Sequence, residues 1–199
     1  MSYIKLILVL VVLFAFAGLS QAQLSVAVHG SYNITSFEKQ ESAASGLGIG
    51  ANLDFTALPI LDVGAEFDYL VSPFKFEQSV TVLGSTVNST NEFSQMLVGV
   101  YGKVYMPMLV IDPYARVGVG YYTGKIKAKG ESNGQTLYDE EEKFKSKIGF
   151  NVGVGVSFLM GLYGEVVYHM VSREIDNPEV LNSGSFGYNY WAINVGYAF

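Results

Sequence analysis

Large apolar side chains recur at every second position in eight stretches, residues 24–34, 47–55, 63–71, 96–106, 115–121, 148–158, 162–170 and 191–199. A period of two is the geometry of a β-strand, whose successive side chains point to opposite faces. The cleanest case sets Ile148, Phe150, Val152, Val154, Val156 and Phe158 against Lys147, Gly149, Asn151, Gly153, Gly155 and Ser157. None of the eight apolar faces carries a charged residue. The opposite faces hold Asp54, Glu66, Asp68, Lys103, Arg116, Lys147, Glu165 and His169 among asparagines and many glycines. A soluble sandwich would present its charges outward in quantity. Here the polar face is too rich in glycine and too poor in charge to be a solvated exterior, so the apolar face is the one that looks out.

The connections support the same reading. Short turns near Pro59, from Pro107 to Pro113 and near Gly161 alternate with longer segments at about 35–45, 73–93, 124–143 and 172–187, expected as outward loops. Long and short in alternation is the mark of up-and-down antiparallel strands. Nine to twelve residues suffice for a tilted strand to cross a bilayer, and lipid cannot satisfy an open sheet edge, so the sheet must close. The predicted fold is all-β: an eight-stranded antiparallel up-and-down transmembrane β-barrel.

Residues 1–22 stand outside this pattern. Lys5, the apolar run 6–17 and the small-residue site Ser20-Gln21-Ala22 have the layout of a secretory signal peptide, and twelve apolar residues are too few for a spanning helix. The expected organisation is a cleaved signal peptide at 1–22 and a single barrel domain at 23–199. Composition then narrows the chemistry. A net charge of −6 argues against a nucleic-acid partner, because phosphate affinity needs a basic surface. Lys125, Lys127 and Lys129 are soon followed by Asp139, Glu140, Glu141 and Glu142, which reads as a mixed-charge solvated segment. With no cysteine and two histidines, thiolate chemistry is excluded and a structural zinc site is not expected.

Eight strands leave a bore just wide enough for side chains to fill. The inward Asp54, Glu66, Asp68 and Glu165 are therefore expected to meet Lys103 and Arg116 in a lumen charge network that also includes His169, because an unpaired buried charge costs several kcal/mol. The inward glycines leave room either for Tyr101, Tyr105, Tyr114, Tyr122 and Tyr163 or for a narrow water-filled bore. His29 and Ser31 share a strand face, as do Glu165 and His169, which raises the possibility of a Ser-His-Glu hydrolase. The pair points into the lumen, away from a lipid substrate. No catalytic, cofactor-binding or metal site is expected, and no cofactor.

The chain resembles the small outer-membrane β-barrels of Gram-negative bacteria of the OmpA/OmpX type, over the whole of 23–199. The resemblance lies in this architecture and in the ending, NYWAINVGYAF. In that family a final aromatic residue, with apolar residues two, four and six places before it, is read by the barrel-assembly machinery; Ile193, Val195, Tyr197 and Phe199 match. It implies that Phe199 lies at the periplasmic side, which puts Tyr32, Tyr69, Tyr121, Tyr168 and Trp191 at the outer rim and Phe55 and Phe158, with Tyr197 and Phe199, at the inner one, as two aromatic girdles. The resemblance also implies residence in the cell outer membrane and contact with outer-membrane lipid and lipopolysaccharide. On this reading the protein has an envelope-structural or surface-interaction role, with extracellular ligands met through its loops. A narrow pore is the alternative, and a lipid A-modifying enzyme a more distant one.

Overall fold

A computed structural model describes residues 23–37, 43–71, 73–82, 85–108, 110–132, 135–143, 146–173 and 186–199. The expected signal peptide at 1–22 falls outside them, as do residues 38–42 of the expected loop at 35–45 and residues 174–185 of that at 172–187. The described elements are β1 (Leu24–Phe37), β2 (Ala43–Leu58), β3 (Leu61–Leu70), β4 (Phe74–Val82), β5 (Ser85–Tyr105), β6 (Ile111–Ser132), β7 (Gln135–Lys143), β8 (Lys147–Phe158), β9 (Leu162–Arg173) and β10 (Phe186–Ala198). Eight of them form a ring in the order β1, β2, β3, β5, β6, β8, β9, β10, and every pairing is antiparallel. The ring closes where β1 meets β10, with Gly30 opposite Val195.

None of the apolar-face residues singled out from the pattern is buried, and none of their inward neighbours is exposed. The wall is inside-out relative to a soluble barrel. Val154 is 64% exposed and Ile148 68%, whereas Arg116 is 2% and Glu66 4% exposed. A continuous apolar belt of this kind is not stable against water and requires a hydrocarbon surrounding.

At one end of the barrel the turns are tight. Gly161 adopts φ of +81°, a left-handed conformation that favours glycine, and a Cβ there would also run into the Ala198 carbonyl. The chain terminus is held at this end: the Phe199 N–H donates to the Val26 carbonyl at 2.8 Å and Ala198 N–H to Gly161 O at 2.8 Å.

The other end corrects the expectation of loops at 73–93 and 124–143. Those residues continue the strands. β5 runs for 21 residues and β6 for 22, and they remain paired from Tyr105 opposite Tyr114 up to Val87 opposite Ser132. β4 folds back along β5, and β7 along β6, so a four-stranded sheet β4-β5-β6-β7 rises beyond the ring. In the ring, β3, β8 and β9 keep to the expected nine to twelve residues, whereas β1, β2, β5, β6 and β10 exceed them. Their outer halves alternate as the wall does: Phe74, Phe93 and Ile126 lie on the inward side, while Lys75, Glu92, Lys125 and Lys127 lie on the other. High charge in 124–143, and the many serines, threonines and asparagines of 73–93, concealed a period that was present.

Candidate functional site

The lumen side chains come from strands whose inward positions alternate with the lipid-type face, and glycine sets how closely they pack. Tyr101 lies opposite Gly64, Tyr114 opposite Gly155 and Tyr163 opposite Gly196, and each phenol ring lies across its glycine, where a Cβ would collide with it. The inward glycines therefore make room for tyrosines, and this part of the bore is filled.

Arg116 on β6 is the hub. Its Nη1 donates to Glu165 Oε1 on β9 at 2.9 Å and its Nη2 to Glu66 Oε2 on β3. Both carboxylates are satisfied further: Asn151 donates to Glu66 at 2.8 Å, and Asn194 and Tyr114 donate to Glu165 at 2.9 and 3.0 Å. The guanidinium carbon stands 4.2 Å from the Tyr101 ring centroid. Nearby, Lys103 on β5 pairs with Asp54 on β2 at 3.1 Å, and Tyr101 donates its hydroxyl to the same carboxylate. Three tyrosines, 101, 114 and 163, surround the ammonium at 4.9 to 5.7 Å. A buried cation is held this way by carboxylate and ring faces together.

Two residues of the expected network stand apart from these ion pairs. Asp68 receives His29 Nε2 at 2.7 Å, and His169 meets the Tyr122 hydroxyl at 2.9 Å and stacks on Tyr190 with centroids 4.3 Å apart. His29, read from the sequence only as the partner of Ser31, is engaged at both ring nitrogens. Its other nitrogen, Nδ1, is hydrogen-bonded to the Tyr163 hydroxyl at 3.0 Å, and the Asn52 amide donates to the same phenol at 3.3 Å. With both nitrogens engaged, His29 does not reach Ser31, whose hydroxyl takes the Asn33 amide instead. The Ser-His-Glu arrangement is thus not assembled.

These contacts join alternate strands of the ring. Glu66 to Arg116 links β3 to β6, Arg116 to Glu165 links β6 to β9, Tyr163 to His29 links β9 to β1, and His29 to Asp68 returns to β3. The four ties make a closed circuit across the bore.

Above it lies a cluster that the sequence reading did not anticipate. Leu70, Leu97, Val167, Val171 and Tyr190 are buried inside the end of the barrel away from the chain terminus and covered by Phe74 and Phe93, whose rings stack at 6.0 Å. The available signal was four large aliphatic residues on otherwise polar strand faces, all near the same end. The residues expected in the girdles do point outward. Tyr32, Tyr69, Tyr121 and Trp191 are 44–53% exposed, and Trp191 packs on Tyr168 with centroids 4.6 Å apart. Ile193, Val195, Tyr197 and Phe199 are also on the outer face.

Solved structures with this fold include Neisserial surface protein A, 12% identical, with 89% of this chain and 97% of that chain covered and a TM-score of 0.54. The outer membrane protein OprG from Pseudomonas aeruginosa is 16% identical over 88% of this chain and 95% of its own, with a TM-score of 0.51. No curated protein matches the sequence. The profile of the family described as "Outer membrane protein beta-barrel domain" matches residues 6–199, and the chain, with its closed ring and inverted polarity, belongs to that family and resides in the outer membrane.

Proposed function

We propose that the barrel is a closed anchor and that its function is an envelope-structural or surface-interaction role carried by the segments beyond the membrane. The observation that carries this reading is the filling of the bore at two levels, by the Arg116 circuit and by the apolar cluster under Phe74. A side-chain-filled eight-stranded barrel offers no continuous water path. The protruding sheet β4-β5-β6-β7 supplies a surface of mixed charge, with Lys125 and Lys127 on Glu141 and Lys75 on Glu92. On this reading the protein is not an enzyme. Phe199 lies on the periplasmic side, the terminal residues Ile193, Val195, Tyr197 and Phe199 address the assembly machinery, and the girdle tyrosines meet outer-membrane lipid.

Lipopolysaccharide is a partner on the same reading. Lys125, Lys127 and Lys143 line a groove with Tyr69 and Met96 at the foot of the sheet, where lipid phosphates meet acyl chains. Refolded protein in planar bilayers tests the closed anchor: absence of single-channel steps supports it, and steps altered by Arg116→Ala overturn it in favour of a narrow pore. Binding of purified lipopolysaccharide that weakens in Lys125→Glu and Lys127→Glu variants tests the surface role.

A further inference from the structure

Between the Arg116 circuit and the apolar cluster lies a cavity of about 20 Å³, roofed by Phe74 and bounded by Ser31, Asn33, Asp68 and Asn194. A volume of roughly one water-sized sphere is too small for an organic ligand and enough for a single water or ion.

Two independent features of its walls point to a positive occupant. The first is charge. The lumen carboxylates Asp54, Glu66 and Glu165 are matched to Lys103 and Arg116, but among the described residues no lysine or arginine lies within ion-pair distance of Asp68. Asp68, whose side chain is 24% exposed, thus lines the cavity with His29 as its one ion-pair partner among the described residues. The second is an orphan acceptor. Asn194 is 5% exposed, spends its amide nitrogen on Glu165, and has no hydrogen-bond partner for Oδ1 among the described residues. In the same wall, Asn33 donates its amide nitrogen to Ser31 Oγ.

We propose that this cavity is a binding site for one small monovalent cation, sodium or potassium in size, coordinated by Asp68 and by the neutral oxygens of Ser31, Asn33 and Asn194. Hard cations take oxygen ligands, and one carboxylate among neutral oxygens suits a single positive charge better than the several carboxylates a calcium site uses. The bound ion neutralises Asp68, satisfies Asn194 and ties β1, β3 and β10 together beneath Phe74.

The test is thermal unfolding of the refolded, detergent-solubilised protein in sodium chloride, potassium chloride and N-methylglucamine chloride at equal ionic strength. The expected result is a saturable rise of about 5 °C in the midpoint with sodium or potassium over the bulky cation, as linkage to a ligand of the native state requires. The rise is lost in Asp68→Asn and in Asn194→Ala. If Asp68→Asn does not refold, Asn194→Ala alone decides. Equal midpoints in the three salts, or a rise that persists in the refolded variants, would mean that the cavity holds only water and would overturn the assignment. Thallium chloride soaked into crystals adds a direct reading, since an anomalous peak beside Asp68 is expected and its absence counts against the site.

Discussion

Arg116 and Glu165 sit on strands that do not touch, β6 and β9 with β8 between them, yet their side chains meet at 2.9 Å inside the bore. The same guanidinium reaches Glu66 on β3, across β5, on the other side. One residue thus spans five strands of the ring. Replacing it with alanine leaves two carboxylates in a space without water, and removal of one partner from a buried ion pair costs about 3–5 kcal/mol. The prediction is a loss of that order for Arg116→Ala in urea unfolding followed by Trp191 fluorescence. An Arg116→Met variant that also carries Glu66→Gln and Glu165→Gln should recover much of it, because no unpaired charge remains.

The tyrosine-on-glycine pairs make a second prediction. In Gly155→Ala the new methyl group meets the Tyr114 ring, which is held by its hydrogen bond to Glu165. Overpacking of this kind costs about 1–3 kcal/mol. Outward-facing Gly30, which has open space around a Cβ, should tolerate alanine with little change.

Val154 and Val195, 64% and 60% exposed, decide the nature of the surroundings. An arginine at either position should lower folding stability in lipid vesicles by about 2–4 kcal/mol if the site lies near the bilayer midplane. On a water-facing wall the same change would be close to neutral, so an unchanged unfolding curve would contradict the membrane orientation of the belt.

The protruding sheet has its own electrostatics. A hydrogen bond from Lys125, reinforced by one from Lys127, holds the Glu141 carboxyl below the usual carboxylate value. A depressed value means that the contact favours the paired β6–β7 hairpin above the unfolded carboxylate value and ceases to do so as pH falls through the folded one. Carbon-detected NMR of the Glu141 carboxyl should show the low titration, and Lys125→Met should move it upward. Because the pair is exposed, salt should weaken the effect.

Strand count, closure and the direction of every wall residue were legible in the sequence, because a membrane barrel writes its inside and outside as strict alternation. Asp54 and Lys103, and Arg116 with its two glutamates, were legible as a group, since few charges shared one face. Which acid meets which base was not. Asp68 turns to His29 rather than to a lysine or arginine, and no local pattern records which side chains meet across the bore. The segments 73–93 and 124–143 look like loops because serine, threonine and asparagine in the first, and lysine and glutamate in the second, are as common in loops as in a strand beyond the membrane. Pairing continues there because β4 and β7 supply partners for β5 and β6. The apolar roof went unnoticed for a related reason: Leu70, Leu97, Val167 and Val171 interrupt the polar face only where the bore ends.

The meeting of β1 with β10 has a consequence for how the molecule comes into being. Along one edge, residues 27–37 find their partners among residues 188–198, the other edge being paired to β2. Until the last strand arrives, the first exposes a raw edge that hydrocarbon cannot solvate, so insertion and closure must be a single late event rather than a hairpin-by-hairpin accumulation. Deleting a handful of terminal residues should therefore abolish the inserted state outright instead of trimming its stability.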